Sequence, residues 1–179
     1  ALKAVWHRGA VDADGKTGDG AGIHLEIPKD FFSEKIELTG HHYDNSEICV
    51  GMIFLPRNNY AAQESARTLV EKELTKSNFS IYGWRQVPVN PKVLGEKAER
   101  TRPEITQVLF KHNDKKLSNK NLEIKLYESR RKIEKEASTI NLNDFYICSF
   151  SSKSIIYKGM FLAESLSDFY TDLKDERFI

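Results

Sequence analysis

Long apolar runs are missing from this chain. The longest, Ile48 to Leu55, has eight residues and includes Gly51, far short of the ~20 needed to span a bilayer. No membrane partner is therefore expected. An excess of one charge is missing too, because 27 Lys and Arg face 26 Asp and Glu, a net +1. Dedicated nucleic-acid binders carry a marked basic surplus, so no nucleic-acid partner is expected either. Cysteine is scarce: Cys49 and Cys148 are the two in the chain, which excludes a disulfide scaffold. Both sit in apolar, strand-like runs, and neither has a basic neighbour that would favour a thiolate. They read as buried, reduced side chains, hence a cytoplasmic protein. No basic stretch followed by an apolar one opens the chain, so no secretory signal is expected. A starting Met is also missing. Leu2, Val5 and Trp6 read as the last turns of a helix, and Phe178-Ile179 follows a charged turn without a stop signal. The chain reads as a piece of something longer, truncated at both ends.

What is present is 179 residues, 40% hydrophobic and 30% charged. That suffices for one domain burying roughly 70% of its unfolded surface. No linker or repeat divides it, so residues 1–179 read as one partial domain. The most informative stretch is glycine-rich. Four of the ten glycines, Gly15, Gly18, Gly20 and Gly22, fall within eight residues of the segment His7-Arg8-Gly9 to Ile23. Such density marks a specialised turn, because glycine inside a helix or strand costs roughly 0.5–1 kcal/mol against alanine.

Gly15-Lys16-Thr17 invites a phosphate-loop reading, but the required first glycine would have to stand at Ala10. The segment also follows a helical pattern and opens a strand, the reverse of a phosphate cradle. As a calcium loop, Asp12 and Asp14 would be followed by Lys16, Thr17 and Ile23 at positions that need a ligand, a glycine and an acid. His41-His42 lacks a third ligand nearby, so no metal is expected.

Along the chain, Ile23, Leu25 and Ile27 alternate with polar residues, a half-buried strand. Pro28 opens a short helix to about Leu38 at an N1-like position. Glu47 to Leu55 reads as a buried strand. Asn58 to Ser77 is a helix with Ala62, Ala66, Leu69, Val70 and Leu74 on one face. Phe79 to Val89 and Ile105 to Lys111 read as strands. Leu117 to Ala137 is a second long helix carrying Leu122, Leu126, Ile133 and Ala137, and its charges include an expected Glu128–Lys132 pair. Phe145 to Phe150 and Ile155 to Lys158 read as a hairpin across Ser151–Ser154. A last short helix follows from Ser165 to Leu173. The class is α+β, helices layered on mainly antiparallel sheet.

His7-Arg8-Gly9-Ala10, Ala13-Asp14 and Thr17-Gly18-Asp19-Gly20-Ala21-Gly22 together resemble the glutaminase domain of glutamate synthase large subunits. These are class II glutamine amidotransferases, within the N-terminal-nucleophile hydrolases. The likeness continues through Val50–Leu55, Gly83-Trp84-Arg85-Gln86-Val87-Pro88 with Val93-Leu94-Gly95, Phe145–Ser149 with Ile156–Gly159, and Phe169-Tyr170 with Asp172-Leu173. It covers essentially the whole chain in order.

The resemblance implies an αββα sandwich of mostly antiparallel sheets between helix layers. It implies hydrolysis of glutamine, the substrate, to glutamate and ammonia, in which an N-terminal Cys thiolate attacks the carboxamide and an Asn-Gly pair stabilises the oxyanion. The ammonia would then aminate 2-oxoglutarate in a synthase region carrying FMN and an iron–sulfur cluster. No cofactor is implied in this segment. The implied partners are the rest of the glutamate synthase chain and a small electron-transfer subunit. Of the family's site residues, Arg8 and Gly9 carry over, as the wall beside the nucleophile. The nucleophilic Cys and the Asn-Gly are expected outside the segment, which should be inactive and only marginally stable alone. The rival readings are a non-catalytic interaction or regulatory module of the same fold and, less well supported, a nucleotide-binding domain.

Overall fold

The computed structural model describes residues 10–178, which fall into two compact units. The larger comprises Glu26–Gln86 and Pro103–Ile155. The smaller comprises residues 10–25, Val87–Arg102 and residues 156–178.

The larger unit is built on a four-stranded sheet. Its strands are β2 (Cys49–Leu55), β3 (Phe79–Gln86), β4 (Glu104–His112) and β5 (Tyr146–Ser151), in the order β3-β4-β2-β5. Every pairing is antiparallel, with Cys49 opposite Phe110 and Gly51 opposite both Val108 and Phe150. The continuous apolar run at β2 is explained by its central place: only Phe54 is less than fully buried. On one face Cys49, Ile53, Val108, Phe110, Ile147 and Phe150 join the core formed with the two long helices. Gly51 belongs to the same face. A Cβ there would lie 2.7 Å from two ring carbons of Phe150 and from Val108 Cγ1, so Phe150 fills the space that a side chain at 51 would occupy.

Helix α1 spans Lys29–Glu37, with Pro28 just outside at the N-cap and not at the first helical position. Phe31, Phe32 and Ile36 anchor it. Helix α2 (Tyr60–Lys76) starts where Asn59 accepts the N–H of Ala62 at 3.0 Å, and it buries Ala66, Leu69, Val70 and Leu74. Helix α4 (Asn119–Thr139), capped by Ser118, buries Leu122, Leu126, Ser129, Ile133 and Ala137. Spacings of three and four put these on a single stripe. Lys132 reaches Glu73 of α2 at 3.3 Å, and the i,i+4 pair within α4 is Arg130–Glu134.

The smaller unit holds most of β1 (Ala21–Glu26) and of β6 (Ser154–Gly159), which pair as a two-stranded sheet, together with the short helices α3 (Glu96–Arg100) and α5 (Leu166–Phe169). The expected hairpin of β5 with β6 does not form. β5 pairs with β2, while β6 pairs with β1. The intervening turn does form and is held from α4. Glu123 of α4 accepts hydrogen bonds from Ser151 Oγ, Ser152 N and Ser152 Oγ at 2.8–3.0 Å, and Ser151 Oγ accepts from Lys153 N at 3.0 Å. Around β6, Tyr157, Phe161, Phe169 and Tyr170 pack with ring centroids 4.7–6.2 Å apart. The Tyr170 hydroxyl donates to Lys158 O at 2.8 Å, and the Tyr157 hydroxyl to the buried Asp172 at 3.3 Å.

Helices on antiparallel sheet make this an α+β fold, consistent with the N-terminal-nucleophile hydrolase fold that the resemblance implies. Among the described residues no helix is long and apolar enough to cross a membrane.

Candidate functional site

The two residues carried over from the resemblance, Arg8 and Gly9, lie outside the described residues, as does His7. The description begins at Ala10, the next residue along, and the segment it opens is tightly built.

Residues 10–19 fold back on themselves. Val11 and Gly18 form an antiparallel bridge. Asp12 N donates to Thr17 O at 2.8 Å, Gly15 N to Asp12 O at 3.0 Å and Asp19 N to Ala10 O at 3.3 Å. Ala10 N donates to Asp19 Oδ1 at 2.8 Å. At the tip, Gly15 takes φ +68°, the left-handed conformation that a sharp turn requires. The Asp14 carboxylate organises the turn. It accepts the N–H groups of Lys16 and Thr17 at 2.9 and 2.7 Å, and the Thr17 hydroxyl at 2.5 Å. The Thr17 hydroxyl foremost, then these N–H groups and that of Glu96, lower the Asp14 pKa to about 2.

This arrangement disposes of the phosphate reading. A phosphate cradle needs free backbone N–H groups converging on the ligand. Here those of Ala10, Asp12, Gly15, Lys16, Thr17 and Asp19 are already taken within the loop. The loop leads into β1, not into a helix.

The loop is also fixed to a distant stretch of chain within the same unit. A Cβ on Gly95 would overlap Asp14 Oδ2 and Thr17 Oγ1. Lys97 Nζ lies 3.0 Å from Asp12 Oδ2. Gly18 backs onto Phe161, whose carbonyl oxygen would sit 2.9 Å from a Cβ at 18. The family-like Leu94-Gly95 pair and the glycine segment are thus neighbours, a relation that nothing in the sequence spacing reveals.

In the larger unit the Gly-Trp-Arg stretch contributes to the sheet. Trp84 Nε1 donates to Glu71 of α2 at 2.7 Å, and Arg85 donates to the fully buried Gln107 at 2.7 Å while lying over the Phe31 ring. Asp44 accepts from Lys111 at 2.6 Å and from the Tyr82 hydroxyl at 2.9 Å. The Lys111 ammonium holds the Asp44 carboxyl well below the usual range, whereas burial, with Asp44 second, pushes the Tyr82 hydroxyl up.

Both cysteines are buried and free. Burial pushes the Cys49 thiol up, the wrong direction for a nucleophile. His41 contacts Thr39 at 3.2 Å, and His42 contacts Glu37 at 3.2 Å. Each has its own protein partner, and among the described residues no group of three His, Cys, Asp or Glu could hold a metal ion. Among the described residues the glycine segment is thus a closed loop of oriented polar groups, and both thiols are buried.

Comparison with known proteins places the chain in a family. The family described as Glutamine amidotransferases class-II matches residues 1–179. The chain is 56% identical over 178 residues to the NADPH glutamate synthase large chain of Azospirillum brasilense, covering 99% of this chain and 12% of that protein. It is 38% identical over 180 residues to the chloroplastic ferredoxin-dependent glutamate synthase of Spinacia oleracea, covering 99% of this chain and 11% of that one. With the ferredoxin-dependent glutamate synthase of Cyanidium caldarium it shares 40% over 182 residues, and it covers 12% of that protein. The chain therefore spans about an eighth of the length of these relatives. Matched along its full length, and folded as helices on antiparallel sheet, the chain belongs to the class II glutamine amidotransferase family.

Proposed function

We propose that this chain forms part of the glutaminase domain of a glutamate synthase, the domain that releases ammonia from glutamine for transfer to 2-oxoglutarate. The observation that carries this is the 56% identity over 178 residues with a glutamate synthase large chain. In the reaction, a Cys thiolate adds to the glutamine carboxamide carbon, the amine leaves as ammonia and a thioester remains, and water then yields glutamate and the free thiol. Donors aimed at the developing oxyanion lower the barrier.

Within this scheme Arg8 and Gly9 line the pocket beside the nucleophile. The nucleophile itself is not in residues 1–179. Cys49 and Cys148 are both buried in strands, and no Asn-Gly dipeptide occurs in the sequence to supply an oxyanion hole. The chain alone is accordingly inactive. Two cysteines are also too few to hold an iron–sulfur cluster on thiolates, so FMN and a cluster, with the small electron-transfer subunit, would engage the rest of the large chain. Buried, reduced thiols suit a reducing compartment such as the cytoplasm.

The test uses the full-length protein and a glutamine-analogue electrophile. Peptide mapping should find the adduct on an N-terminal Cys outside residues 1–179, and Arg8→Ala should raise the KM for glutamine. An adduct on Cys49 or Cys148, or a full-length protein that does not hydrolyse glutamine, would overturn the reading.

A further inference from the structure

β3 is an outermost strand of the four-stranded sheet, with β4 as its neighbour. An outermost strand presents unpaired backbone groups to any other strand that approaches. The sequence of this one suits such pairing. Residues 79–84 include Phe79, Ile81, Tyr82 and Trp84, with neither a charge nor a proline, which is the composition of self-associating segments. Yet Tyr82 is only 4% exposed. Against it lies the stretch of residues 39–46, which runs from α1 to β2. β3 bulges at Tyr82, since Ile81 lies opposite Phe110 and Gly83 opposite Leu109. The Tyr82 carbonyl oxygen lies 2.9 Å from Thr39 Oγ1, whose one proton is shared with Ile36 O at 2.7 Å. The Tyr82 hydroxyl donates to Asp44 at 2.9 Å. Gly83, at φ +154°, lets Thr39 come close, because a Cβ there would lie 3.0 Å from Thr39 Cβ and Cγ2.

We propose that residues 39–46 form a strap that closes the β3 edge against strand addition by a second copy of this chain, with Asp44 as its fastening. The strap is tied at both ends. Toward α1, Thr39 N and Gly40 N donate to Ile36 O and Glu37 O at 2.9 and 3.0 Å, and Tyr43 N donates to Glu37 Oε1 at 2.8 Å. Toward β2, the Tyr43 hydroxyl donates to Ser46 O at 2.9 Å, and Ser46 N to Asp44 Oδ1 at 3.3 Å. Asp44 then joins the strap to the sheet. Besides the Tyr82 hydroxyl of β3 it accepts Lys111 of β4 at 2.6 Å, and the exposed Lys115 stands 3.4 Å away. Lys111 also lies over the Tyr82 ring, 5.3 Å from its centroid. One carboxylate thus gathers the ring and the ammonium under the strap. A second copy is the partner to expect at an opened edge, because an uncharged, β-prone edge is complementary to itself about a two-fold axis.

The test uses the full-length protein, with amide exchange read by mass spectrometry and size read by sedimentation over a range of concentrations. Asp44→Ala should speed exchange in residues 39–46 and 79–84 roughly 10- to 100-fold, while β2 and β4 keep their protection. It should also self-associate more than the parent as concentration rises. Asp44→Asn keeps an acceptor for the Tyr82 hydroxyl and should show a smaller effect of the same kind. Ser80 is exposed and lies opposite Lys111. Adding Ser80→Glu to Asp44→Ala puts a charge on the edge and should return the size to that of the parent. Unchanged exchange at the strap and at β3 in Asp44→Ala overturns the fastening. A strap that opens without added self-association, or association that persists with Ser80→Glu, overturns the closure of the edge. Loss of protection throughout the sheet in both Asp44 variants overturns it as well, because Asp44 would then support the whole sheet and not its edge.

Discussion

Replacing Gly51 by alanine should destabilise the four-stranded sheet, and the structure sets the magnitude. The new Cβ would lie 2.7 Å from Phe150 Cδ2, Phe150 Cε2 and Val108 Cγ1, whereas carbon atoms pack best at ~3.5–4.0 Å. Phe150 and Val108 must each retreat by about 1 Å. Little room exists for that, because β2 is flanked by β4 and β5, and Val108 and Phe150 are 0% and 7% exposed. Overpacking of this kind costs ~1–3 kcal/mol. The substitution also stiffens the unfolded chain, which returns ~0.4–1 kcal/mol. A net loss of about 1–2 kcal/mol remains, equivalent to roughly 2–8 °C in Tm at this size. The assay is urea unfolding of the purified chain followed by far-ultraviolet circular dichroism. Phe150→Leu serves as the second arm: it should cost stability alone, yet recover part of the loss when combined with Gly51→Ala, a coupling of ~0.5–3 kcal/mol. An unchanged midpoint for Gly51→Ala, or strictly additive effects in the double variant, would refute the argument that Phe150 occupies the space over residue 51.

Other expectations are equally direct. Glu123→Ala removes the acceptor of hydrogen bonds from Ser151 Oγ, Ser152 N and Ser152 Oγ and should cost ~1.5–3 kcal/mol by the same unfolding assay, with Glu123→Gln losing less. The Asp14 carboxyl, at about 2 in the folded chain, is depressed below its unfolded value. Its contribution is therefore complete above about pH 4 and is lost as pH falls toward 2. Amide exchange at Lys16 and Thr17 should accelerate over that window, and a pH-independent rate ratio to the unfolded chain would count against it. Neither Cys49 nor Cys148 should react with iodoacetamide in the folded chain at pH 7, and both should react in urea. Mass spectrometry reads the adducts, and native labelling of Cys49 would contradict its burial.

The helices were the most legible elements in the sequence. Leu122, Leu126, Ile133 and Ala137, chosen by spacing alone, are all buried on α4, because an amphipathic stripe is a local property written along one segment. The central strand β2 was legible for the same reason, since burial on both faces leaves a continuous apolar run. The β5–β6 hairpin failed where local signals stop. Ser151 to Ser154 does turn, but strand partners are chosen by long-range pairing, and here the Glu123 carboxylate, from a helix far back in the chain, engages the turn. Gly95 was legible only as part of a resemblance. Its physical reason, the proximity of Asp14 and Thr17, has no periodicity or spacing to betray it.

The glycine segment shows why composition alone misassigns such loops. Clustered glycine suggests a backbone left open for a ligand, and a neighbouring Lys16-Thr17 suggests which ligand. An open backbone must leave its N–H groups unspent, however, and Asp14 and Asp19 spend those of Ala10, Lys16 and Thr17. The acidic residues that would repel phosphate are the same ones that close the loop. A loop closed in this way is stiff, and stiffness suits the pocket-wall role proposed above, since misplacement by about 1 Å is felt as orders of magnitude in rate. Glycine at 18 and 95 then serves close approach more than motion: Phe161 O stands where a side chain at 18 would begin, and Asp14 with Thr17 where one at 95 would. Substituting either should therefore shift the loop as a body and not loosen it. The sign to look for is amide protection retained at Lys16 and Thr17 in both variants, and faster exchange at either would count against it.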